Sequence, residues 1–246
     1  SDALQMIRGV ANLAQHRIGQ NAVLFFERQN PIALNPDGSE AQACGNATRC
    51  IVSRLMREED TDRLAVETVA GLLPAHVDER GLVAVDMGPA QLDWQNIPLS
   101  RAMDTLHLDL TAGPYADPIA VGIGNPHCVF FIDDADAIDP AEHGPAVEHD
   151  SLFPERTNVE FVTVRDRGLI RMRVWERGSG TTQACGSGAC AVAVAAARRG
   201  LTERQVEVVL DGGSLFIDWR SDNHVVMSGP VAVAFTGTLD IAVGAA

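Results

Sequence analysis

The sequence predicts a mixed α/β fold assembled from two copies of one half-domain. Three observations predict it. The tetrapeptide QACG occurs twice, at residues 42–45 and 183–186, an offset of 141 positions. The same ungapped offset carries Arg57 onto Arg198, Gly71 onto Gly212, and Val85, Gly88 and Pro89 onto Val226, Gly229 and Pro230. Each copy also runs through one succession of patterns, a helix followed by two β-like segments. A shared tetrapeptide arises easily by chance. Nine identities in one register argue for duplication of a whole half-domain, a two-copy array rather than a solenoid.

The elements follow in order. After the first cysteine, "NATRCIVSRLMREE" reads as a helix with an apolar face; "SGACAVAVAAARRG" is its counterpart after the second. Each helix leads into a β-like run that ends at a glycine, "RLAVETVAG" and "QVEVVLDGG". Each copy then reaches a short strand closing on Gly-Pro, "LVAVDMGP" and "HVVMSGP". The acidic runs "REEDTD" and "DDADAIDPAEH" read as solvated faces.

Composition narrows the function classes. A chain of 246 residues, 46% hydrophobic and 21% charged, fits one large domain or two small ones with an ordinary core. A net charge of −14 argues against nucleic acid or an anionic membrane as partner. No apolar run reaches the roughly 18 residues of a membrane-spanning helix. The segment "SDALQMIRGVANLAQHR" lacks the basic-then-apolar pattern of a signal peptide, so a soluble cytoplasmic protein is expected. Five cysteines do not make a disulfide scaffold. All 19 basic residues are arginine, so no lysine is present to form a Schiff base with pyridoxal phosphate.

Both QACG cysteines precede a glycine and then a helix. The free N–H groups of a helix N-terminus bind anions, and the helix dipole favours negative charge there. Gly45 and Gly186 let a ligand approach the backbone closely. The same field is expected to lower the thiol pKa from about 8.5 towards neutrality. Two such units facing each other across a pseudo-twofold axis would hold one carboxylate between two helix ends, with a thiol on either side. That arrangement fits removal of a proton from one face of the α-carbon and delivery to the other, a cofactor-independent racemisation or epimerisation. Cys50, Cys128 and Cys190 read as space-filling residues. A zinc site is disfavoured by the absence of a C-x2-C pair, and "CGSGAC" lacks the lysine of a phosphate-binding loop. A non-catalytic dithiol redox protein is the rival from another class.

The stretches "NPDGSEAQACGNATRC", "GIGNPHCVFF", "FPERTNVEFV" and "WERGSGTTQACGSGACA" resemble the diaminopimelate epimerase family over nearly the whole chain. The resemblance implies an α/β (α+β) fold of two pseudo-symmetric domains, each a curled, mostly antiparallel sheet around a central helix. The halves expected are residues 1–113 plus 231–246 and residues 114–230. It implies Cys44 and Cys185 as the acid/base pair, with His127 and Glu176 as polar groups near the thiols. Asn35, Asn125, Asn158 and Arg177 would hold the distal amino-acid end of the substrate. Gly45, Asn46, Gly186 and Ser187 would form the backbone anion hole. No metal and no cofactor are implied, and the partners are a small amino-acid substrate and a second copy of the chain. The repeat independently pairs Asn35 with Glu176. The nearest rival is another cofactor-free racemase of this architecture, acting on proline, hydroxyproline or histidine.

The chain departs from the family pattern in places. At the repeat offset, the counterpart of "GIGNPHCVFFID" would fall before Ser1, so the first strand of the first half is expected to be missing. Gln20 follows Gly19 directly, where the family spaces these residues differently. Thr181 stands where many members carry glutamate, and "CGNATRC" replaces "CGNGARC".

Overall fold

The structure, a computed structural model, describes residues 23–27, 30–34, 45–68 and 71–232. In chain order the elements are β1 (Val23–Glu27), β2 (Asn30–Leu34), α1 (Gly45–Glu59), β3 (Arg63–Thr68), β4 (Gly71–Val77) and β5 (Val83–Pro89). There follow β6 (Thr111–Ala112), β7 (Tyr115–Ala116), β8 (Ile119–Gly122), β9 (Pro126–Phe131), α2 (Pro140–Glu148), β10 (Asn158–Asp166), β11 (Leu169–Glu176) and β12 (Gly180–Thr182). The last are α3 (Gly186–Arg198), β13 (Gln205–Leu210), β14 (Gly213–Trp219) and β15 (His224–Gly229).

The 141-residue repeat is structural. It carries α1 onto α3, and β3, β4 and β5 onto β13, β14 and β15 within a residue or two. Each triplet of strands is an antiparallel meander. The two meanders join through β5 and β15, also antiparallel, to give one sheet in the order β3-β4-β5-β15-β14-β13-β11-β10-β9-β8, with β12 alongside β11. At this junction Val85 faces Met227 and Asp86 faces Val226. The repeat exchanges these two pairs, so a pseudo-twofold axis passes between them. A register shift between His224 and Val226 breaks the symmetry toward the end of β15. Among the described strands only β9/β10 and β11/β13 pair in parallel, so the sheet is mostly antiparallel, as expected.

The helices explain the shape. α3 is an Ala-rich segment, the best helix former, and every residue from Gly186 to Ala196 is buried. A helix apolar on all sides must be covered on all sides. Its core includes Val121, Val129, Val162, Met172, Val208, Ile217 and Met227, drawn from seven strands, so the sheet curls around it. Each fully buried valine or isoleucine contributes about 1.5–3 kcal/mol. α1 is amphipathic instead: Val52 and Met56 pack on Val66, Ala75, Val83 and Val85 of β3–β5, while Arg54 and Arg57 face solvent. Cys50 lies on the exposed side of α1, which corrects its assignment as a packing residue. Cys128 and Cys190 are fully buried, as expected.

α2 covers the opposite face of β9–β11. It begins within the acidic run, where Asp139 caps the helix by accepting the Ala141 N–H and Pro140 follows in the first turn. Beneath it lie Cys128, Phe130, Val159 and Phe161, the residues that alternate with those facing α3. No helix among the described residues is long and apolar enough to cross a membrane.

Candidate active site

Three strand ends and one helix N-terminus meet at the edge of the second half. Parallel pairing sets His127 of β9 opposite Asn158 of β10, and antiparallel pairing sets Val159 opposite Trp175 of β11. Side chains alternate along a strand. His127, Asn158, Glu160 and Glu176 therefore lie on the sheet face that holds α3. The helix points its N-terminus at them. Cys185 is the N-cap residue, with φ −129° and ψ 110°, and its Sγ accepts the Gly188 N–H at 3.3 Å. Gly186 and Ser187, the first two helical residues, have N–H groups without an acceptor inside the helix.

A chain of polar contacts starts at that thiol. Cys185 Sγ lies 3.6 Å from Ser187 Oγ, and Asn125 Nδ2 donates to Ser187 Oγ at 3.4 Å. Asn125 Oδ1 is 2.9 Å from His127 Nε2, and His127 Nδ1 is 2.6 Å from Glu160 Oε1. Asn158 ties the strand ends together: its Nδ2 donates to the Pro126 carbonyl and its Oδ1 accepts the Arg177 N–H, both at 3.0 Å. Thr182 Oγ1 donates to Glu176 Oε1 across the β11–β12 hairpin. The half-buried Arg177 donates through Nη1 to the Glu155 carbonyl at 3.0 Å. Behind the hairpin, the buried Glu148 of α2 accepts from Trp175 Nε1 at 2.7 Å and from the Gly178 N–H at 3.0 Å, which clamps Glu176 and Arg177 in place.

The electrostatics reverse one expectation. The Cys185 thiol is only 6% exposed, and its pKa lies well above the usual thiol value. Burial is the largest cause, followed by the charges of Glu176 and Glu160. The Ser187 hydroxyl and the Gly188 N–H pull the other way but do not prevail. The helix N-terminus alone predicted a lowered value. Burial also raises the Glu176 carboxyl, against the hydrogen bond from Thr182. Both groups are thus biased towards their protonated, neutral forms.

The structure brings together Asn125, His127, Asn158, Glu176, Arg177, Cys185, Gly186 and Ser187. Asn35 and Cys44 lie outside the described residues, as does Gln20. Gly45 and Asn46 open α1, as the repeat requires, with only their backbone described. The two helices meet through equivalent positions. Arg49, one turn into α1, lowers the thiol pKa of Cys190, one turn into α3, against burial, which still holds it at about 12. These residues are related by the repeat, so α1 and α3 approach each other at equivalent turns. Thr181 has a buried hydroxyl without a partner among the described residues.

Sequence reasoning missed three groups. Glu160, Glu148 and Thr182 hold His127, the Trp175–Gly178 segment and Glu176 respectively. Glu160 had a signal: in "NVEFV" it falls on the face of Asn158 and Val162, a charged residue at a core position. Among the described residues no cluster of three or more His, Cys, Asp or Glu is arranged to hold a metal.

Comparison with known proteins places this geometry. The family profile described as diaminopimelate epimerase matches residues 12–92 and 119–234. A diaminopimelate epimerase of Rhodospirillum centenum is 58% identical over 206 residues, covering 84% of this chain and 71% of the relative. One from Acidiphilium cryptum is 49% identical over 234 residues, covering 93% and 84%. Among solved structures, a putative phenazine biosynthesis PhzC/PhzF protein from Clostridium difficile superposes with a TM-score of 0.66 at 13% identity, over 97% of this chain and 88% of that one. A predicted epimerase from Pseudomonas aeruginosa gives 0.62 at 16% identity, over 91% and 84%. These two establish the fold alone, a sheet-rich α/β architecture of two domains. The sequence matches go further, spanning both halves of the repeat and the candidate site, and the chain belongs to the diaminopimelate epimerase family.

Proposed function

We propose that the protein interconverts LL-2,6-diaminopimelate and meso-diaminopimelate by a two-base mechanism without a cofactor, in lysine and peptidoglycan precursor biosynthesis. Supporting this reading is the arrangement around Cys185: a buried thiol on a helix N-cap, next to uncommitted N–H groups and within a ring of His127, Glu160, Glu176 and Arg177. The similarity to named diaminopimelate epimerases supports the substrate.

The substrate α-carboxylate sits against the N–H groups of Gly186 and Ser187 and, by the repeat, of Gly45 and Asn46. Hydrogen bonds from two helix ends stabilise the enolate-like charge that develops when the α-proton leaves. Cys44 and Cys185 stand on opposite faces of the α-carbon. One removes the proton as thiolate; the other, as thiol, returns a proton to the far side. Burial keeps a resting Cys185 protonated, which readies it to donate. Neutral Glu176 removes a nearby negative charge and so favours the thiolate when the roles reverse. Arg177, Asn35, Asn125 and Asn158 hold the distal amino-acid end, the guanidinium taking the second carboxylate. The protein acts in the cytoplasm as a homodimer, with no nucleic acid or membrane partner.

The test is stereochemical. Protein incubated with the LL isomer under reducing conditions should yield the meso isomer on chiral chromatography, with proline, hydroxyproline and histidine unchanged. Racemisation of proline or histidine without conversion of diaminopimelate would replace the substrate and keep the mechanism.

A further inference from the structure

Two acceptors face one buried histidine ring. His127 and Glu160 have no solvent exposure. Nδ1 of His127 lies 2.6 Å from Glu160 Oε1, and Nε2 lies 2.9 Å from Asn125 Oδ1. An amide oxygen only accepts, and so does a carboxylate oxygen. The contact at Nε2 therefore requires a proton on Nε2, and the contact at Nδ1 requires a second proton between ring and carboxyl. Glu160 Oε2 is buried with no hydrogen-bonding partner among the described residues. A lone buried carboxylate is costly, whereas a proton held with His127 leaves the pair neutral as a unit.

The pair stands beside the reacting thiol. A β-carbon added at Gly188 would lie 2.8 Å from Glu160 Oε1 and 3.2 Å from Cys185 Sγ, so carboxyl and thiol flank one small gap. The titratable groups beside the pair on the α3 face are Glu176 of β11 and Cys185 at the start of α3, while Cys128 of β9 lies across the sheet. None of them donates to Nδ1.

We infer that Glu160 is a positioning residue: it keeps His127 doubly protonated, commits Nε2–H to Asn125 Oδ1, and so turns the Asn125 amide N–H groups toward Ser187 and the substrate. A ring with one proton has no such commitment. When that proton sits on Nδ1, Nε2 becomes an acceptor and the Asn125 amide must turn over, presenting its oxygen to an anionic ligand. Glu160 therefore sets the sign of the dipole that the site offers. The consequence for turnover rests on the proposed epimerisation; the placement of the proton does not.

The experiment uses full-length protein labelled with 15N-histidine, the His127 signals being those lost in His127→Gln. In the wild type both ring nitrogens should appear protonated at neutral pH. In Glu160→Gln, which fills the same space, one should not. Over the same comparison kcat/KM for LL-diaminopimelate should fall by about ten- to a hundredfold with an unchanged thermal midpoint. A singly protonated ring in the wild type, or a ring still doubly protonated in Glu160→Gln, would overturn the inference. A wild type that turns over no diaminopimelate would overturn the epimerase reading instead, and the spectrum would still decide the state of the ring.

Discussion

At the scale of single residues, Cys185 and Arg177 differ in what they contribute. Cys185 is buried and tied to Gly188 and Ser187, whereas Arg177 is half-buried and donates from its rim position to the Glu155 carbonyl. Arg177→Ala should therefore leave the thermal midpoint unchanged and raise KM for diaminopimelate by about ten- to a hundredfold, the loss of a charge-assisted contact. Steady-state kinetics against a melting curve separates the two effects. Asn158 behaves otherwise. Its amide bridges the Pro126 carbonyl and the Arg177 N–H, so Asn158→Ala should cost about 1–3 kcal/mol of stability as well as activity. At this scale the sequence was legible where a motif marked the residue. It did not reveal the raised pKa of Cys185, because the helix-terminus argument knows nothing of burial or of Glu160 and Glu176. Glu160 lay in plain view in "NVEFV" but became a site residue only when β9 and β10 paired in parallel.

Among the elements, α2 supports the site from the sheet face opposite α3. Its Glu148 holds the Trp175 and Gly178 N–H groups, and Gly144 lies flat against the Trp175 ring. A β-carbon at Gly144 would come 2.4 Å from Trp175 Cγ. Gly144→Ala should therefore destabilise the fold by about 1–3 kcal/mol, measurable by urea unfolding, and lower kcat by displacing Glu176. The repeat foretold α1, α3 and the outer two strands of each meander, since each copy carries its own helix and strand periodicity; the middle strands β4 and β14 were not read. α2 escaped notice because Pro145 interrupts its pattern. Its cap, Asp139 before Pro140, was nonetheless readable.

For the whole molecule, the wrapping of one sheet around α3 buries thiols as well as valines. Burial pushes the Cys190 thiol from 9.0 up to about 12, while the unfolded chain keeps an ordinary thiol. The native state then holds a proton that the unfolded state releases. This contribution is fully present below about pH 9 and is lost as pH rises towards 12. Cys128 and Cys185 shift in the same direction. Unfolding free energy should fall across that window by up to about 1.4 kcal/mol per pH unit for each such thiol. Cys190→Ala should flatten the slope, whatever it does to stability at neutral pH. Denaturant unfolding at a series of pH values measures both.

The repeat sets α1 and α3 about one pseudo-twofold axis, and the proposed epimerisation rests on it: Cys44 and Cys185 would act on one α-carbon from opposite faces. Proton NMR of LL-diaminopimelate in D2O with reduced protein tests it most directly. The account predicts that the α-proton signal disappears as the meso isomer grows in, and that Cys44→Ala and Cys185→Ala each abolish the interconversion. Interconversion that survives in either variant would contradict it.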